Sequence, residues 1–145
     1  MANTNDFIDA ICTVLNEKKD TWGVKKDAID YRPATLLAFP MIAVLHTNNS
    51  YRRTDRKYAR QALAAEVVIY YEKARAPYRG REIRDLVDNA AQWILKNQTL
   101  KGLTLLVWIE DAYVDLTDMG GAFVGTGHFT VIGEIDGLDI QDVGD

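Results

Sequence analysis

The residues in this chain that could bind a metal or act as a nucleophile are few and lie far apart. There are two histidines, His46 and His128, and a single cysteine, Cys12. Zinc sites use closely spaced ligands, and neither histidine has a second ligand at the spacing of a motif such as HxxxH. The sequence therefore predicts no metal and no cofactor. Cys12 is expected to pack as a small apolar side chain.

Other patterns typical of catalytic sites are equally weak. Glu110, Asp111 and Asp115 resemble paired carboxylates, but they are expected after a strand and before a turn, where acidic residues are common. A general acid also needs burial to raise its pKa, which a sequence does not reveal. The stretch GGAFVG opens a strand rather than a helix, and neither GK[ST] nor GxSxG occurs. We therefore expect no enzymatic activity.

The most distinctive charged stretch is residues 51–60, YRRTDRKYAR, which we call the basic segment. It holds five basic residues and one acidic residue. Arginine and tyrosine can contact phosphates and stack on nucleic-acid bases. The same residue types are enriched in protein interfaces, and a solvated loop is a third interpretation. No RNP, KH or helix-turn-helix pattern is present to favour nucleic acid as the main partner.

Two segments have the periodicity of amphipathic helices. Residues 6–18 repeat apolar side chains at helical spacing, and residues 81–96 do so more clearly. The apolar stripe of the second segment is wide enough to cover a sheet. It comprises Ile83, Leu86, Val87, Ala90, Ala91 and Ile94.

Four segments are expected to be strands. Alternation with period two predicts strands at residues 63–71, 103–109 and 122–135. Proline is tolerated at the first residue of a strand, so Pro40 is expected to begin another at residues 41–46. HTNNS, from His46 to Ser50, is expected to form a loop. Gly125 and Gly127 are expected to mark a bulge or a close approach of another backbone.

This order of elements predicts an α+β fold of two layers: a four-stranded, mainly antiparallel sheet packed by two helices, in the order α-β-β-α-β-β. The strand at residues 63–71 is apolar on both faces and is expected to be central. Its second face is covered either by another subunit or by the first helix. We expect a single α+β domain at residues 1–135 and an acidic C-terminal arm at residues 136–145.

Composition indicates the number of domains, the distribution of charge and the cellular compartment. A chain of 145 residues is expected to form one domain. Its net charge of −4 arises in the arm, which carries four aspartates and no base; the other residues hold 17 acids and 17 bases. A single cysteine favours a reducing compartment. The N-terminus lacks the pattern of a signal peptide, and no stretch has the ~20 apolar residues of a membrane helix.

From Pro40 to Ile135 the chain resembles the small tail terminator and tail-completion proteins of long-tailed bacteriophages. The resemblance rests on the strand AEVVIYYE, a short basic break, the helix REIRDLVDNAAQWILKN, the link QTLKGL and the closing hairpin. The hairpin reads LTLLVWIEDAYVDL followed by GGAFVGTGHFTVIGEI. The leading helix, DFIDAICTVLNE, also suits this family.

The resemblance implies a structural virion protein without catalytic activity. It would form a homohexameric ring that caps the last ring of tail-tube subunits and offers a surface to the neck or connector. DNA would pass through the lumen without sequence recognition. The protein would be assembled in the host cytoplasm and reside at the head-proximal end of the tail. The alternatives are another head–tail joining (neck) protein, or a small nucleic-acid-binding module that uses the basic segment.

The basic segment is expected to form an interface because its residues are basic and aromatic, are expected to be exposed, and lie beside the start of a strand. The basic segment is expected to protrude as a loop that contacts the tube or an adjacent subunit, and the acidic arm to pair with the basic loop of the next copy. Trp108 is expected to be buried by a neighbouring copy. The full set is Tyr51, Arg52, Arg53, Arg56, Tyr58, Trp108, Asp139 and Asp142.

Overall fold

A computed structural model describes residues 4–33, 40–53, 57–71, 80–119 and 122–139. The predicted α+β class and the order α-β-β-α-β-β are confirmed, with one short helical turn, α2, added after the first helix. The helices are α1 (Thr4–Asn16), α2 (Lys19–Trp22) and α3 (Gly80–Lys96); the strands are β1 (Met41–Arg53), β2 (Tyr58–Tyr71), β3 (Leu106–Met119) and β4 (Ala122–Asp139).

The four strands form one antiparallel sheet in the order β1-β2-β4-β3. The predicted central position of residues 63–71 is confirmed, because β2 pairs with β1 on one side and β4 on the other. Residues that alternate along β2 point to opposite faces, so Val67 and Val68 belong to different packing layers. Val67 lies in the main core, and Val68 lies in a smaller cluster on the other face.

Both long helices pack on the same face of the sheet. The predicted stripe of α3 is buried, with Ile83, Ala90 and Ile94 fully so, while Ala91 is half-buried. α1 contributes Phe7 and Ile11 to the same core. The first helix therefore does not cover the second face of β2, and that interpretation is wrong. Because both helices cover one face of the sheet, the opposite face is available for contacts with other parts of the chain or with another protein.

Two glycines of β4 let the helices approach the sheet closely. A side chain at Gly127 would collide with Val87 of α3, and a Cβ at Gly133 would lie 2.5 Å from Phe7 Cε1 of α1. The predicted close approach at Gly127 therefore exists, but it is made by helix side chains. The sheet's irregularities lie elsewhere: they fall in β1, early in β2, and in β3 between Glu110 and Tyr113.

β1 is longer than predicted. The loop expected at residues 46–50 is wrong, because β1 continues to Arg53 with a single irregularity between His46 and Asn48. The turn-forming side chains find partners within the sheet and on α1. Asn49 Nδ2 donates to Thr4 Oγ1 at 2.8 Å and to the Tyr51 hydroxyl at 3.3 Å. Pairing with β2 therefore outweighs the local preference of Asn and Ser for turns.

The last two strands are also displaced from their predicted bounds. Leu100, Lys101 and Gly102 have positive φ, so the chain turns there and β3 begins only at Leu106. β4 runs to Asp139 and thus includes the first four residues of the predicted acidic arm. A deletion of the arm that spares the sheet must start after Asp139. Residues 140–145 lie outside the described part of the chain.

Candidate interaction surface

Residues 51–53 and 58–60 of the basic segment lie in strands at one end of the long β1–β2 hairpin, which corrects the prediction that these residues form a protruding loop. Tyr51, Arg52 and Arg53 belong to β1 and pair with Gln61, Arg60 and Ala59. Their side chains are exposed. The ladder fixes these side chains in orientation, which a loop would not do.

The two remaining predicted residues of this segment are Tyr58 and Arg56. Tyr58 is the first residue of β2 and is half-buried. Arg56 lies outside the described residues. Lys57 lies over the Tyr58 ring, with its Nζ 5.2 Å from the ring centroid. The end of this hairpin is therefore basic and aromatic.

A cleft of about 230 Å³ lies beside this end of the hairpin. Two arginines, Arg52 and Arg60, line this cleft. Arg60 has an acidic partner, because its Nε is 3.1 Å from Glu134 Oε1. Arg52, opposite Arg60, has no described acidic partner. Like charges that face each other across a ladder repel, which favours an additional anion at Arg52. The lining residues are Ser50, Tyr51, Arg52, Arg60, Ala62 and Glu134.

The acidic end of β4 lies at the same hairpin end. The backbone of Asp139 is opposite Tyr58, and that of Leu138 is opposite Ala59. The arm is expected to pair with the next copy, and Asp142 of the arm lies outside the described residues. The chain nevertheless places backbone from the arm beside its own basic segment.

The face of the sheet opposite the helices is partly apolar. Val68 and Tyr70 of β2 are buried there with Met41 and Ala43 of β1, and Ile29 packs against them. Ile29 reaches this position because its backbone makes a parallel bridge with Ala43 at the outer side of β1. Ile29 therefore covers part of the second face of β2.

Trp108 lies on this second face, where it is partly exposed and hydrogen-bonded. Its side chain is half-buried, and its Nε1 donates to Glu110 Oε1 at 3.1 Å. Its neighbour across the ladder is Ile132 of β4, which is also half-buried. A half-buried tryptophan beside an isoleucine is an apolar surface that another protein can cover.

A polar cluster that the sequence does not predict lies at the centre of this face. The His128 ring stacks on Tyr113 with centroids 4.4 Å apart and planes 7° from parallel. His128 Nε2 is 2.8 Å from Thr126 Oγ1, and Nδ1 is 3.6 Å from Glu66 Oε1. Nδ1 is buried and has no hydrogen-bond partner. Only the strand register brings these residues together.

The order of a hydroxyl, a histidine and a carboxylate in this cluster is reminiscent of an acyl-transfer triad. Thr126, however, is buried, and none of the three clefts described for this structure is lined by Thr126, His128 or Glu66. A nucleophile needs space for its substrate. We therefore assign no reaction to this cluster.

The carboxylates suspected of acid–base chemistry lie within β3 and are exposed. Glu110 accepts the Trp108 hydrogen bond, and Asp111 has a positive φ of 55°. Among the described residues, no group of three or more histidine, cysteine or acidic side chains could hold a metal ion. No described helix is both long and apolar enough to cross a membrane.

Compared with protein-family models and with curated proteins, the chain shows no significant match.

Cys12 is expected to be a poor nucleophile. It is half-buried in α1, and its pKa is raised to about 12 by burial and by the charges of Asp30 and Asp9. In the unfolded chain the thiol keeps its ordinary pKa of 9.0. Keeping the thiol protonated therefore costs the folded state no stability below pH 9.0, and the folded state loses stability as pH rises from 9.0 towards about 12. We expect alkylation at pH 8.5 to be at least ~10-fold slower in the native chain than in urea. Mass spectrometry measures both rates, and equal rates would contradict the burial.

Proposed function

We propose that this protein is a structural virion protein, a tail terminator that forms a hexameric ring on the tail tube and connects it to the neck of a bacteriophage. The proposal combines the family resemblance of residues 40–135 with the surface of the single chain. The main supporting observation is that the described helices cover only one face of the sheet. The opposite face presents half-buried Trp108 and Ile132.

The basic hairpin end supplies a second supporting observation. Arg52 and Arg53 are exposed, have no acidic partner among the described residues, and are held in a strand. Fixed arginines next to an exposed tyrosine are typical of contacts between proteins. In the proposed ring this end contacts the tail tube or an adjacent subunit.

The direct test is the mass of the purified protein in solution, alone and after mixing with tail tubes, together with negative-stain images. We expect hexameric rings, either free or bound at tube ends. A protein that stays monomeric at high concentration and leaves tube ends uncapped would contradict the proposal. Rings that bind the neck but not the tube would identify a neighbouring joining protein instead.

Charge reversal at Arg52 and Arg53 is expected to weaken assembly without unfolding the chain. Glutamate at position 52 would face Arg60, so the free energy of unfolding should change by less than ~0.5 kcal/mol. We expect at least a ~10-fold loss of affinity for tube ends, measured by sedimentation with tubes. The control is a double reversal of Arg81 and Lys96, exposed bases of α3. Equal loss in both variants would contradict a specific role for the hairpin.

A nucleic-acid-binding module is the second candidate, and the exposed arginines beside Tyr51 favour it. This function predicts that the isolated protein binds DNA with an affinity that falls steeply as salt rises. Measurement of binding by fluorescence anisotropy at several salt concentrations distinguishes the candidates. Ring formation with only weak DNA binding supports the tail terminator, while tight binding by a monomer supports the module.

A further inference from the structure

The outer edges of the sheet carry most of the large apolar side chains that the described residues expose. Tyr51 belongs to β1, and Tyr31 follows the bridge that Ile29 makes to β1. Leu106 and Tyr113 belong to β3, and Leu105 immediately precedes it. The exposed fractions are 62% for Tyr51, 61% for Tyr31, 54% for Leu105, 49% for Tyr113, 44% for Leu95 of α3 and 41% for Leu106.

The two edge strands have opposite charge. β1 contains Arg52 and Arg53 and no acidic residue, whereas β3 contains four acidic residues, three of them Glu110, Asp111 and Asp115, and no basic residue. The two edges therefore differ in their overall sign of charge, which favours unlike edges at long range. Along the sheet Glu110 is level with Leu45 and Arg52 lies beyond Leu106, so these charges do not face each other directly. This distribution favours contact between β1 of one copy and β3 of another over contact between two identical edges.

The strand directions allow such a contact to continue the sheet. Each of the three strand pairs is antiparallel, so β1 and β3 run in opposite directions at the two edges. A second copy, rotated about an axis parallel to the strands, would place its β1 antiparallel to the first copy's β3. Antiparallel pairing would then extend across the junction, with the helices of all copies on the same side.

The parts of the two edges without described partners lie at the same height on the sheet. Following the registers across the sheet, Ser50 is level with Leu106, and Ala43 is level with Tyr113. Ile29 occupies the outer side of β1 at Ala43, and the irregularity in β3 lies just before Tyr113. Residues 45–50 of β1 and 106–110 of β3 thus remain as edges at matching height, and the stretches 48–50 and 106–108 are regular, because the irregularity of β1 lies between His46 and Asn48.

We propose that residues 106–110 of one copy pair antiparallel with residues 45–50 of the next copy, which joins the subunits head to tail into one continuous sheet. The proposal rests on the proposed function, because it supplies the contact that closes the ring. A head-to-tail contact uses two different patches and closes when the rotation between copies is suitable. It also covers two strand edges that would otherwise invite aggregation.

The test is disulfide trapping between Ser50→Cys and Leu106→Cys in a Cys12→Ser background. Both positions are exposed and level with each other. Within one copy the edge strands are three strand spacings apart, about 14 Å, so an internal disulfide cannot form. We expect mild oxidation to give a ladder of covalent oligomers, ending at the size of the closed ring, on a non-reducing gel.

The single variants and a displaced pair are the controls. Each single cysteine should remain uncrosslinked, as should Ser50→Cys combined with Thr13→Cys on the exposed side of α1. Dimers from a single variant would reveal pairing between identical edges and overturn the proposal. Rings in solution without the ladder would overturn the edge contact but leave the tail terminator function standing. A ladder without tube binding would support the edge contact and contradict the tail terminator function.

Discussion

Replacing Leu86 with aspartate is expected to prevent this chain from folding. Leu86 is 5% exposed in the apolar stripe of α3, which packs on the sheet. The substitution removes about 1.5–3 kcal/mol of apolar burial. It also leaves a carboxylate without a partner in the core, which costs several kcal/mol more. A domain of ordinary stability has only about 5–15 kcal/mol in total.

Circular dichroism and urea unfolding measure this effect. The Leu86→Asp chain should lack a cooperative transition, whereas Leu86→Ala should still fold with a loss of about 2–5 kcal/mol. Asn89→Asp is the matched control, because it adds the same charge at an exposed position of the same helix. Cooperative unfolding of Leu86→Asp at the wild-type midpoint would show that α3 does not hold the sheet as described.

The sequence predicts α3 and the central strand well because burial leaves a periodic pattern. Residues 81–96 bury a stripe with helical spacing, and residues 63–71 are apolar on both faces because both faces are covered to some extent. In these segments the local pattern and the final packing agree. Their type and order could therefore be predicted before their contacts were known.

The strand bounds were less predictable because non-local pairing decided them. Asn48, Asn49 and Ser50 favour turns, but β2 provides a long partner and α1 provides Thr4 for the Asn49 amide. The reverse happens at Leu103, whose alternation resembles a strand although the preceding residues have positive φ. Neither outcome depends on the residue types of the segment alone.

The polar cluster on the open face was unpredictable for a related reason. Glu66, Tyr113 and His128 come from three different strands, and they meet only because their registers align. A shift of one residue in the β2–β4 pairing would send His128 to the opposite face from Glu66, and a shift in the β3–β4 pairing would do the same to Tyr113 relative to His128. The sequence showed the basic and aromatic character of residues 51–60, but only the ladder revealed that Arg52 faces Arg60.

A second large effect is expected at the contact between Gly133 and Phe7. A Cβ at position 133 would lie 2.5 Å from Phe7 Cε1 and 3.0 Å from Thr104 Cγ2. The Phe7 ring is fully buried and has little freedom to move. Gly133→Ala should therefore destabilise the chain by about 1–3 kcal/mol through overpacking. Phe7→Ala should cost about 3–5 kcal/mol because it leaves a cavity.

The two substitutions together should cost less than the sum of their separate effects, since the alanine at 133 enters the space that the ring leaves. Urea unfolding of the four chains gives the coupling free energy, which we expect to be about 1–3 kcal/mol. Gly127→Ala is the control, because the side chains it meets are Val87 and Ile83 of α3. Its effect should add to that of Phe7→Ala. Additive effects at position 133 would mean that α1 does not rest on Gly133, and the close packing of α1 on β4 would be wrong.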